Sequence, residues 1–426
     1  MTGLTLTPAA AGFLPRAPES LAAAGLATAF VEDHVLRYLY ARPQSSGAQI
    51  ATACGLPFQC GIGAVLDGLR QEHLVEIRGQ RGLGDAGYAY VLTSKGTTRA
   101  NEALERTHYQ GALPVSLEAY AASVQAQRIK RSLVTPERMR EAFADLLAPD
   151  CVTDKIGPSI NSGSALFLFG SAGNGKTAMA ERISRVLNDP IYIPHALEVD
   201  GHIVKLFDPL VHKPVQCGST PGIDQRWVQI ERPLVVAGGE LTLAGLDLLW
   251  SDSARLYEAP LQLKANGGVL LLDDFGRQQV RPTDLLNRWI VPLEKHIDYL
   301  TLVTGKRLQV PFQQMLVFAT NLEPRDLADD AFLRRIRFKL RLDDPTPAQF
   351  SEIFRRECHA RGVEYVADGV QYVLDRWLAD RPMRMCQPRD LVEQIVAIAA
   401  YRSAAPDIAS RALLDEACES YFAAAA

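Results

Sequence analysis

The stretch "SALFLFGSAGNGKTAMAERI", residues 164–183, decides the fold. Leu166 to Phe169 are four apolar residues in a row and read as a buried strand. From Thr177, "TAMAERISRVL" reads as an amphipathic helix. Between them, Gly170-Ser171-Ala172-Gly173-Asn174-Gly175-Lys176-Thr177 fits G-x-x-x-x-G-K-[ST] in full. A bare lysine at the end of a buried strand needs an anion to face. The glycines let backbone N–H groups, that of Asn174 among them, wrap phosphates with no side chain in the way. The helix N-terminus adds the positive end of its dipole. Lys176 is therefore expected at the β- and γ-phosphates of ATP, and the Thr177 hydroxyl on Mg²⁺.

Further along, "GGVLLLDDFGR", residues 267–277, is a second buried strand ending in two acids. Asp273 is placed to hold Mg²⁺ through water, and Asp274 to polarise the attacking water. "QMLVFATNLEP", 314–324, is a third buried strand with a neutral amide, Asn321, at its end. That amide suits a water held between Asp274 and the γ-phosphate. In "DDAFLRRIRF", 329–338, Arg334 and Arg335 are adjacent and cannot face the same way on a helix. One of them is expected to reach a neighbouring subunit's nucleotide. Arg389, in "QPRDLVEQI", opens a late helix and is placed to fold over the γ-phosphate.

The bulk composition agrees with a globular, multidomain chain. Its 426 residues exceed one ordinary core, and 47% hydrophobic with 22% charged residues are globular values. A formal net charge of -4 gives no whole-chain signal for nucleic acid or an anionic membrane. No apolar run reaches a membrane-spanning length, and the start lacks a signal-peptide pattern, so a cytoplasmic protein is expected without membrane insertion. The seven cysteines are scattered with no CxxC pair, which fits idle thiols in a reducing compartment. The eight histidines form no HxxxH or HExxH spacing, so no zinc site is expected.

Residues 1–24 read as a flexible tail. Residues 25–106 read as three helices, a two-stranded wing joined through "QRGLGDAG", and a closing helix: a winged helix-turn-helix domain. Its third helix is expected over "PFQCGIGAVLDGLRQEHL". Residues 107–135 read as a linker, which includes the short basic run "RIKR" at 128–131. A helix follows, capped by Thr135 with Pro136 in its first turn. Alternating strand and helix signals over 136–345 indicate an α/β nucleotide-binding subdomain with a parallel sheet. Residues 346–426 are helical and read as a lid.

The order of these motifs resembles that of the AAA+ ATPases: loop lysine, double acid, Asn, arginine pair, late arginine. Residues from about 136 to 426 look like one such module. The resemblance implies a P-loop NTPase sheet with Asp273 and Asp274 as Walker B, Asn321 as sensor 1, Arg334 or Arg335 as the trans finger, and Arg389 as sensor 2. It also implies a hexameric ring. "YEAPLQLKANGGVLLLDD" is similar to the stretch before Walker B in MoxR-type ATPases and enhancer-binding activators. "LLNRWIVPLEKHIDYLTLVTGKRLQVPFQQMLVFATN" looks like the hairpin those groups insert before sensor 1, turning near Thr304-Gly305-Lys306. "IERPLVVAGGELTLAGLDLLW" is expected to be an inserted hairpin. Most family members carry Glu where this chain has Asp274. The shorter side chain draws the carboxylate back by roughly 1 Å, which predicts slowed turnover.

The expected function is ATP-driven remodelling of a protein client, with the winged helix docking a client or adaptor. Its reading helix and wing, 57–88, hold Arg70, Arg78 and Arg81 against Asp67, Glu72, Glu76 and Asp85. A DNA-facing surface should not be net negative. An ATP-switched DNA-binding transcriptional regulator is the alternative, and a nucleotide-held scaffold with negligible turnover is a third.

Overall fold

The computed structural model describes residues 13–423, apart from 130–133, 148–149, 216–221, 328 and 404. Lys130 and Arg131 of "RIKR", Cys217, and the first half of the expected tail lie outside the described residues. The chain forms two compact units that interleave in sequence. One comprises residues 1–131, 187–270 and 287–315, the other 132–186, 271–286 and 316–426.

The first unit begins with helices Thr28–Ala41, Gly47–Cys54 and Ile62–Gln71, a hairpin of Val75–Gln80 with Tyr88–Leu92, and helix Ser94–Arg106. Ser46 and Gln49 form a reciprocal capping box on the second helix, and Thr93 caps the last. The third helix starts later than the sequence pattern indicates. Phe58–Cys60 is a short 3-10 turn, and Gly61 breaks the path at φ 123°, a conformation that only glycine adopts easily. The N-terminal segment is anchored from Phe13 onward. Phe13 packs on Trp227 with ring centroids 5.2 Å apart, Ala17 N–H donates to Gly222 O at 2.9 Å, and Ala24 is buried. Aromatic contact and strand-like bonding outweigh the loose composition of this segment.

The span read as a linker also carries structure. Val115–Ser116 pairs with Ala196–Val199, and helix Leu117–Ala126 buries Tyr120. Together with His202–Lys205, Leu249–Ser251 and Leu256–Glu258 these strands form a five-stranded sheet that the sequence pattern did not reveal. Tyr120, Leu197, Val204, Tyr257, Leu300 and Val310 share its core. The expected hairpin in "IERPLVVAGGELTLAGLDLLW" does not form. Leu234–Ala237 is a strand of the nucleotide-type sheet, while Leu249–Ser251 pairs with Leu256–Glu258 in the other sheet. Each strand instead finds a partner outside the segment. The later hairpin does form: Ile297–Thr301 pairs with Arg307–Pro311, with Leu300 opposite Leu308. Its tip is held by the Lys306–Asp200 ion pair and by Val303 N–H donating to Tyr257 Oη at 3.0 Å.

The fold of the nucleotide-type region is α/β with a parallel sheet. The sheet order is Leu234–Ala237, Val269–Leu272, Met315–Thr320, Leu166–Phe169, Phe338–Arg341. Leu166–Phe169 has parallel neighbours on both sides. Its residues are apolar throughout because both faces are covered. Phe167, Phe275 and Phe318 pack edge and face beneath the strand ends. Helix Lys176–Val186 follows the first strand, and Thr135 caps Pro136–Ala142 through Arg138 N–H. The C-terminal helices are Pro347–Ala360, Ala367–Trp377, Gln387–Tyr401 and Arg411–Phe422. They enclose their own core, with Phe350, Phe354, Val373, Ile395 and Leu414 fully buried.

Candidate nucleotide site

The site lies within the second unit, at the ends of three strands. The sheet order sets Met315–Thr320 between Leu166–Phe169 and Val269–Leu272. Residues after these strands therefore converge: Asn321 sits between the phosphate loop and the two acids. The loop bends as the glycine pattern requires. Gly170 has φ 136° and Gly173 φ 83°. A Cβ at Gly170 would stand 2.3 Å from Leu342 O, and one at Gly173 would stand 2.6 Å from Cys386 Sγ.

Five of the residues singled out from sequence, Lys176, Thr177, Asp273, Asp274 and Asn321, form one hydrogen-bonded set. Lys176 Nζ donates to Gly170 O and Ser171 O, each at 2.9 Å, and to Asn321 Oδ1 at 2.6 Å. Asn321 Nδ2 donates to Asp274 Oδ1 at 3.3 Å. Thr177 Oγ1 donates to Asp273 Oδ2 at 2.8 Å, and Asp273 Oδ1 accepts from Asp274 N–H at 3.0 Å. Burial lowers the Lys176 pKa below the usual lysine value. Asp274 and Asp273 act against that shift, while Arg384 adds to it. Asp274 has a left-handed backbone, φ 48°, which Asp tolerates better than most residues.

These groups line a cavity of about 850 Å³, together with Asp145, Leu146, Leu147, Met179, Ile353 and Arg356. That volume suits a nucleotide-sized ligand. Thr177 and Asp273 offer a hydroxyl and a carboxylate oxygen side by side. Mg²⁺ is commonly held by one or two such protein oxygens plus phosphates and water, so the donor set fits it.

Arg389 also lines the cavity, at the start of helix Gln387–Tyr401, where it pairs with Asp390 at 2.9 Å. Arg334 and Arg335 are absent from the lining. Arg334 Nε instead donates to Asp330 O at 3.3 Å, at the end of the short helix Asp330–Leu333. The sequence reading missed several lining residues: Asp145, Arg277, Arg356 and Cys386. Arg277 follows the acid pair by three positions, and that proximity was the only signal for it in the sequence. Arg356 lies on a helix whose amphipathic pattern gave no sign of a ligand. Its Nε donates to Glu352 Oε1 at 2.9 Å. Cys386 was set aside with the other thiols. Cys54, Cys358 and Cys418 are indeed buried, and burial pushes their thiols up to about 12, 11 and 12.

Residues 346–420 match a family model described as a domain of unknown function, DUF8689. No curated protein matches the chain. Among solved structures, the chain is similar to NtrX from Brucella abortus in complex with ADP. The identity is 13%, over 74% of this chain and 63% of that one, with a TM-score of 0.38. It thus spans less than two thirds of the NtrX length. It is also similar to the RuvB Holliday junction branch migration motor of Thermotoga maritima. The identity there is 16%, over 69% of this chain and 72% of that one, with a TM-score of 0.38.

Proposed function

We propose that this chain is an ATPase of the AAA+ type that couples ATP hydrolysis to remodelling of a protein client. The observation that carries the reading is the continuous bonded set Lys176–Asn321–Asp274, with Thr177–Asp273 beside it, around one cavity. In the bound state Lys176 exchanges its loop carbonyls and Asn321 for phosphate oxygens. Asn321, released from Lys176, orients a water. Asp274 accepts that water's proton as the water attacks the γ-phosphorus and the bond to the bridging oxygen breaks. Thr177 and Asp273 would hold Mg²⁺, which when bound would neutralise charge on the phosphate oxygens. Arg389 reports on the γ-phosphate from the helical lid. One of Arg334 and Arg335 completes the neighbour's site in a hexameric ring, which agrees with their absence from the lining of their own cavity.

The three helices and hairpin over residues 25–106 serve as a winged helix that docks a protein in the cytoplasm. Two of its candidate DNA-contacting arginines are already neutralised: Arg70 pairs with Asp67 at 3.5 Å and Arg78 with Glu76 at 2.7 Å. That charge pattern favours docking over the DNA-regulator alternative.

Phosphate release, measured for the native chain, Asp274→Asn and Asp274→Glu, tests the assignment. Loss of the base should lower kcat by about 10²-fold or more in the Asn variant. The Glu variant should turn over faster than native, because the longer side chain restores roughly 1 Å of reach. Equal rates in all three would remove Asp274 from the chemistry. Particle mass measured with and without ATP in the same samples tests the ring.

A further inference from the structure

Asn174 lies inside the phosphate loop and is among the residues that line the cavity, yet its side-chain amide is taken up by protein partners. The residue is completely buried. Its Nδ2 donates to Asp344 Oδ1 at 2.7 Å, and its Oδ1 accepts from Met385 N–H at 3.4 Å. Asp344 follows the last strand of the sheet and forms an ion pair with Arg384. One residue past Met385, Cys386 N–H donates to Gly173 O at 2.9 Å. Gln387 braces this turn from behind, accepting from Arg384 N–H at 2.8 Å and donating to Pro382 O at 3.2 Å. Three segments therefore meet at one small polar cluster: the phosphate loop, the chain after the last strand, and the turn that opens the lid helix Gln387–Tyr401.

We propose that Asn174, Asp344 and Arg384 form a latch that fastens the lid turn to the phosphate loop, so that nucleotide release requires this cluster to open. The inference rests on the nucleotide-site reading and adds a set of positioning residues to it. Asp344 and Arg384 are not among the residues that line the cavity. Asp344 acts through Asn174, and Arg384 through Asp344 besides its charge near Lys176. Every member is satisfied by another, which makes such a network stiff while intact and costly to leave half made. Burial raises the Asp344 pKa, but hydrogen bonds from Asn174 and Arg384 outweigh it and hold the carboxyl below its usual range. The latch is thus charged and closed at neutral pH. It also gives Arg389 a fixed starting point, since Arg389 is three residues past Cys386 on the same helix. Lid motion and loop shape then move together, with no need for the triphosphate to be the only link between them.

The test uses the full chain and two independent readouts. The first is hydrogen exchange of the 384–387 amides without nucleotide, above all that of Cys386. The second is the release rate of a fluorescent ADP. Arg384→Gln and Asp344→Asn should each speed exchange and ADP release by about 10-fold, equivalent to about 1.4 kcal/mol of lost latch. Arg384→Lys, which keeps the charge but not the planar fork, should fall between them and native. A role confined to overall stability would accelerate exchange across the whole lid core, including the Phe350 and Ile395 amides. A latch changes the turn alone. Exchange and release within twofold of native in both Arg384→Gln and Asp344→Asn would overturn the proposal. If the native chain took up no ADP, the nucleotide reading would fail. The exchange measurement, which needs no ligand, would still decide the latch.

Discussion

Both units bury charge, and they use it in opposite ways. In the first unit Arg226 is sealed. Its side chain is 5% exposed and its partner Asp224 4%. Nε and Nη2 donate to the two Asp224 oxygens, while Nη1 donates to Ala24 O at 3.0 Å and to Pro114 O at 3.4 Å. No cavity adjoins it among those described. In the second unit Lys176 is also buried, 7% exposed, but it stands on the wall of a large cavity. Its partners are two loop carbonyls and an amide, all of which a phosphate can replace. A buried charge is therefore no mark of function in itself. The mark is an exchangeable partner beside an open volume. Arg226 serves the fold, tying the residues around Ala24 and Pro114 to the segment that leads into Trp227–Ile230, and Lys176 is the one whose partners a ligand can displace.

The largest effect expected from this contrast is on folding. Arg226→Ala leaves the Asp224 carboxylate buried with no counter-charge, and should cost about 3–5 kcal/mol. Urea unfolding followed by tryptophan fluorescence measures it, since Trp227 is the next residue. A loss under about 1 kcal/mol would mean that the clamp is not where this unit stores its stability.

A smaller effect distinguishes the units by pH. His34 is fully buried, and burial together with the nearby Arg37 lowers its pKa from 6.5 to about 3. The unfolded chain takes up that proton near pH 6.5 and the folded chain does not. The stability contributed is complete above pH 6.5 and is lost progressively as pH falls towards 3. Lys176 works in the other direction. Its pKa is held down by burial, and a bound phosphate favours the charged form. Nucleotide affinity should therefore weaken as pH rises towards the ordinary lysine value of 10.5. Unfolding midpoints between pH 4 and 7, and ADP titrations between pH 7 and 10, check the two halves. His34→Gln should flatten the acid limb and leave the alkaline one in place.

The same contrast explains what the sequence made legible. The phosphate loop is local: strand, turn and helix follow within twenty residues, and the glycine pattern has one physical purpose. The two acids and Asn321 were legible because each ends a run of buried apolar residues, a signal that needs no knowledge of partners. The C-terminal helices were legible from the helical pattern of residues 346–426, and in the structure Thr346 and Gln349 form a capping box on the first of them. The inserted sheet was hidden because its strands are two to four residues long and pair across distance, as Val115 does with Leu197. The hairpin expected near residue 240 failed for the same reason, since alternation alone does not say which strand is the partner. The latch was illegible because Asn174 lies 170 positions from Asp344 and 211 from Met385, whose N–H donates to it. Nothing in "GNGK" shows that the Asn side chain faces inward.

The account stands on triphosphate binding at Lys176. Calorimetric titration of MgATP into the native chain and into Lys176→Ala, with unfolding midpoints taken on both, tests this most directly. The account predicts saturable binding by the native chain, a loss of at least about 100-fold in the variant, equivalent to about 2.7 kcal/mol, and unfolding midpoints that agree without ligand. Equal affinity in the two proteins, or no heat from either at millimolar MgATP while both remain folded, would contradict it.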